Sequence, residues 1–79
     1  MSALEKYQGV FVDTFSVQVS DLNESFAYQS IPEWDSIGHM SLITALENTF
    51  EIMIEMDDVI DFASFEKGRE ILLKYGITL

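Results

Sequence analysis

Seventy-nine residues, 48% of them apolar, suffice for one thin-cored domain (residues 1–79) and are too hydrophobic for a disordered tail. The lack of any cysteine excludes a disulfide framework, a thiolate metal site and a cysteine nucleophile, and suits a reducing compartment. Fourteen Asp and Glu against four Lys and Arg give a formal net charge of −10, which repels nucleic acid and anionic lipid and steers the surface toward basic protein partners.

The opening run Met1 to Lys6 lacks the basic start and long apolar core of a signal peptide. No stretch approaches the ~20 apolar residues that span a bilayer, so the expectation is a cytoplasmic location without membrane insertion. From Ala3 to Phe15, Leu4, Tyr7, Val10, Phe11 and Phe15 recur at helical spacing and predict a first helix, with Gly9 a weak point of about 1 kcal/mol relative to Ala. Residues 17–35 read as a long irregular connection with turn formers Ser20, Asp21, Asn23 and Pro32. Leu22, Phe26, Tyr28, Ile31 and Trp34 are available to pack it.

A second helix is predicted over Ser36–Phe50, capped by Asp35 or Ser36, with Ile37, Met40, Ile43, Leu46 and Phe50 as its apolar steps and Leu42 widening that face. Glu51–Met56 reads as a loop. Asp57 is expected to cap a short third helix through Phe62, with Asp58 near its positive end. Ser64 is expected to cap a fourth, closing with Lys74 and a Gly76 stop, and burying Phe65, Ile71, Leu72 and Tyr75. The fold class expected is all-α: a four-helix bundle with a long loop between helices 1 and 2 and a short third helix.

The most specific segment is Trp34-Asp35-Ser36-Ile37-Gly38-His39-Met40. A serine opening a helix sits where free backbone N–H groups and the positive dipole end favour an anion. This run resembles the Asp-Ser-Leu attachment motif of acyl carrier proteins, with Ile37 in place of the leucine. The likeness extends along the chain through Leu42, Ala45-Leu46-Glu47, Phe50, Ile52, Ile54 and the acidic pair Asp57-Asp58. The resemblance implies an acyl-carrier-type domain that is not itself an enzyme. Ser36 would carry a 4'-phosphopantetheine arm taken from coenzyme A, with Asp35 as its motif partner. A phosphopantetheinyl transferase would attach the arm, an enzyme would load an acyl or aminoacyl group as a thioester, and downstream biosynthetic enzymes would use it. The carrier would act as a monomer. By the same resemblance Asp35, Ile37, His39, Met40, Glu47, Glu51, Asp57 and Asp58 form the partner-binding face, with weak and salt-sensitive binding expected. Gly38, Ser41, Asn48 and Thr49 stand where fatty-acid-synthesis carriers usually place carboxylates, and Glu51 where a glycine commonly ends the helix. That departure points to a specialised pathway.

Three competing readings are weaker. Asp35, Ser36 and His39 include the residue types of a hydrolase triad, yet Asp35 adjoins Ser36 and a bundle this small leaves little room for a cleft. His39, the only histidine, makes a poor zinc site and is expected to be exposed or partner-facing. The acids Glu55, Asp57, Asp58 and Asp61 lack calcium-loop spacing and read as a solvated, helix-capping run, so no metal is expected. Ile54, Val59, Ile60 and Phe62 either line an acyl pocket or complete the core, the core being favoured. The alternative from another class is an unmodified acidic helical adaptor that binds a partner protein directly.

Overall fold

Ser2 starts the first helix by a reciprocal cap: its hydroxyl accepts from the Glu5 amide (3.1 Å) while the Glu5 carboxylate accepts from the Ser2 amide (3.0 Å). In the computed structural model, which describes residues 2–79, this helix (α1) spans Ala3–Phe15 and buries Tyr7, Val10, Phe11 and Phe15. Asp35 caps α2 (Ser36–Phe50), α3 covers Met56–Asp61, and Ser64 caps α4 (Phe65–Lys74) through a 2.9 Å bond to the Lys67 amide. The architecture is all-helical, and among the described residues no helix is long and apolar enough to cross a membrane.

Aromatic rings make up much of the core. Phe11 lies at its centre, with Tyr7, Phe15, Phe26, Trp34, Phe62 and Phe65 all within 6.4 Å centroid to centroid, most of them edge-on or tilted. Leu42, Ile43 and Leu46 of α2 and Ile71 and Leu72 of α4 close around this cluster. The Tyr7 hydroxyl, drawn inside with its ring, donates to the Phe65 carbonyl at 2.7 Å and so ties α1 to the start of α4. Burial, aided by the nearby Glu66 charge, pushes this phenol well above its ordinary range.

Residues 17–35, expected to be irregular, contain a single 3-10 turn at Val19–Asp21 and a set of backbone anchors. Ala27 forms an isolated antiparallel bridge with Ser64; Tyr28 N–H donates to Ala63 O and Phe65 N–H to Phe26 O, both at 2.9 Å. The segment thus crosses the α3–α4 junction and drops Phe26 and Trp34 into the core. It then passes so close to α2 that a Cβ on Gly38 would stand 2.0 Å from the Glu33 carbonyl oxygen. Only glycine permits that approach.

Two expectations change. Ile37 and Met40, expected on the apolar face of α2, are 80% and 50% exposed. The buried residues are Leu42, Ile43 and Leu46, and at about 100° per residue Ile37 and Met40 lie off that arc. Helix α3 starts two residues earlier than predicted, with Glu55 rather than Asp57 as its cap, because the Tyr75 hydroxyl holds the Glu55 amide (2.9 Å) and the Glu55 carbonyl takes the amides of Asp58 and Val59 (both 3.0 Å).

Glu51 ends α2 in the left-handed region at φ 55°, a conformation that costs a side-chain-bearing residue roughly 1 kcal/mol. Replacing it by glycine (Glu51→Gly) should raise unfolding stability by about 1 kcal/mol in urea titrations at unchanged slope.

Candidate functional site

Ser36 is the first residue of α2 and is exposed, one position after the cap. Asp35 Oδ1 accepts from the Gly38 amide at 2.8 Å, which satisfies one of the free donors of the first turn and fixes where the helix begins. The Ser36 hydroxyl lies 3.2 Å from the Tyr28 hydroxyl. Both line an open groove of about 340 Å³ between α2 and α3, whose other walls are His39, Met40, Met56, Val59 and Ile60. On the opposite side of Ser36, the outer face of α2 presents Ile37, Met40, Ser41, Thr44, Ala45 and Asn48, none of them charged.

Beneath the groove, Trp34 is fully buried and its indole N–H donates to His39 Nδ1 at 3.0 Å. An indole N–H only donates, so Nδ1 must accept and the imidazole hydrogen sits on Nε2. That atom is 2.7 Å from the Val59 carbonyl and donates to it. One histidine therefore joins the loop, α2 and α3. It occupies the same helical stripe as Leu42, Ile43 and Leu46, a register visible in the sequence. The exposed, partner-facing position expected for His39 is not what the structure has: the ring is half-buried and both nitrogens are engaged internally. The same bonds keep the imidazole off Ser36, so Asp35, Ser36 and His39 do not form a relay.

The acids expected on the docking face also separate. Asp58 is only 5% exposed; its oxygens meet Lys74 Nζ and the Tyr75 hydroxyl, each at 2.5 Å. The sequence pattern made it a solvated helix-end charge, but its true partners lie a full helix away. Glu47 accepts from the Ile54 amide at 2.9 Å and braces the turn between α2 and α3. Asp35 is exposed but engaged as a cap. Glu51 and Asp57 remain free at the surface, joined there by Glu55 and Asp61. Of the apolar candidates, Ile37 and Met40 stay accessible, and Met56 (68% exposed) and Ile60 (71%) join them. Ile54, Val59 and Phe62 are core residues, whereas Ile60 is not. Among the described residues no group of three or more carboxylate or imidazole side chains is placed to hold a metal ion.

Comparison with protein-family models, with curated proteins and with solved structures finds no match to this chain.

Hydrogen bonds from Lys74 and Tyr75 hold the Asp58 carboxyl below its usual range; the bond to Asp58 pushes Lys74 up, and desolvation together with that carboxylate pushes Tyr75 up. For a lowered carboxyl, the stabilising contribution is complete above its unfolded value and is lost as pH falls through the folded one. Acid unfolding monitored by circular dichroism should therefore show a component in the low-pH limb that Asp58→Asn removes, along with lower stability at neutral pH.

Removing the imidazole (His39→Ala) would leave the Trp34 N–H and the Val59 carbonyl without their partner. Each orphaned group costs on the order of 1–3 kcal/mol, so chemical denaturation should report a loss of about 2 kcal/mol or more.

Proposed function

We propose that this chain is a carrier protein of the acyl carrier type, bearing cargo as a thioester on a 4'-phosphopantetheine arm attached to Ser36. The single observation that supports this best is the placement of Ser36. It is an exposed hydroxyl at the first position of α2, beside an apolar groove and an uncharged helix face. A hydroxyl there is open to a second protein, and the amides of the first turn with the positive helix end favour the phosphodiester it would become. The four helices, with a long connection between the first two and a short third helix, are in keeping with an acyl-carrier bundle.

In this scheme the chain supplies no catalysis. The transferase brings the base and the magnesium ion; a loading enzyme forms the thioester; downstream enzymes of a specialised pathway receive the acyl or aminoacyl group. The carrier contributes tethering, which raises the effective concentration of cargo at each partner. Docking would centre on Ile37, Met40, Met56 and Ile60, ringed by Asp35, Asp57 and Asp61, whose charges suit a basic rim on the partner. That exposed apolar cluster equally serves an adaptor that binds its partner without modification, and the hydroxyl of Ser36 separates the two.

Incubation with coenzyme A, magnesium and a broad-specificity phosphopantetheinyl transferase should add one phosphopantetheine to the intact mass, and Ser36→Ala should add none. Failure with several transferases would favour the adaptor.

A further inference from the structure

The groove between α2 and α3 has apolar walls, a histidine with both nitrogens engaged and two hydroxyls, those of Ser36 and Tyr28, which face each other at 3.2 Å. Attachment chemistry at Ser36 as described so far makes no use of Tyr28, yet several contacts aim that side chain. Its amide donates to Ala63 O at 2.9 Å, and the residue before it bridges to Ser64. The ring stands edge-on to Trp34 (6.5 Å, 86°) and to His39 (5.7 Å, 80°). Immediately after it the chain turns at Gln29, with φ 65° and an amide bonded to the Trp34 carbonyl at 2.9 Å. A tyrosine held by backbone on one side and by two rings on the other delivers its hydroxyl to one place.

We propose that Tyr28 is a positioning residue for phosphoryl transfer to Ser36, donating its phenolic hydrogen to Ser36 Oγ. The inference rests on the carrier function proposed above. In that transfer Oγ bonds to the pantetheine-bearing phosphorus of coenzyme A. The bond from that phosphorus to adenosine 3',5'-bisphosphate breaks, the bisphosphate leaves with the electron pair, and the serine hydrogen passes to a base on the transferase. The serine hydrogen must point outward to reach that base, so within the pair Tyr28 is the donor and Oγ the acceptor. A phenol is also the more acidic of the two hydroxyls and the better donor. Holding Oγ in one orientation before the encounter lowers the entropy lost in reaching the reactive geometry. Once the phosphodiester exists, Oγ is a bridging oxygen and a poor acceptor, and the anionic non-bridging oxygens beside it become the stronger acceptors for the same phenol.

Tyr28→Phe tests this with the ring contacts kept and only the oxygen removed. Single-turnover transfer from coenzyme A should slow by about two- to tenfold, the worth of one hydrogen bond, while half-saturation in carrier concentration changes less. The ³¹P resonance of the phosphodiester should shift between wild type and variant, and the urea midpoint should not move. Equal rates with an unchanged ³¹P resonance would overturn the assignment. So would a slower rate that comes with a lowered urea midpoint and an unchanged resonance, since that marks a merely structural role. Absence of any transfer to the wild-type chain would sink the carrier function and this inference together, and is recognised before the variant is consulted.

Discussion

An indole drawn fully into a protein core must find an acceptor for its one N–H, or the core pays the cost of an unpaired donor. Here the acceptor is an imidazole, and the choice propagates. Because His39 accepts at Nδ1 it donates at Nε2, and because the Val59 carbonyl is the receiver, α3 is drawn against the start of α2. With only six residues, α3 is too short to hold its place by its own helical bonds. It is secured at this histidine, at the Asp58 node with Lys74 and Tyr75, and by Val59 and Phe62 in the core. The groove beside Ser36 is the space left between these two helices, so its shape follows from a hydrogen-bond chain that begins at Trp34.

The charge of the molecule is distributed in a way its total conceals. The chain carries fourteen acids, yet α2 contains one, Glu47, and that side chain is turned to the Ile54 amide. Asp58 is inside. What faces outward around Ser36 is a patch of Ile and Met with carboxylates at its edge. The long-range field of a −10 protein would gather basic partners, while the contact itself would be made by flexible thioether and branched aliphatic side chains.

Much of this was legible from the residues. Helices α1, α2 and α4 follow from apolar spacing, α2 and α4 also from their caps at Asp35 and Ser64, and the aromatic residues of the long connection are legible as packing groups. Reading failed where a distant residue decided a local matter. The start of α3 depends on a Tyr75 hydroxyl twenty positions away, and the burial of Asp58 on Lys74 and that same tyrosine. Neither has a periodic signature. Tyr28 meets Ser36 across eight residues of non-helical chain, a separation that no pattern encodes. The role of His39 is different, for its register with Leu42, Ile43 and Leu46 was present. It is obscured because Ile37 and Met40, both apolar, compete for that stripe in the sequence pattern.

Trp34 is the only tryptophan in the chain. Its ring is stacked at 26° on Phe15, bonded to His39, and two residues ahead of Ser36. The tryptophan emission of this protein therefore originates at one place, against the Tyr28 and His39 rings that line the groove beside Ser36. An emitter shielded from water and touching an imidazole is sensitive in both wavelength and yield to any displacement of α3. The molecule thus carries an optical reporter of its own groove, readable without a label.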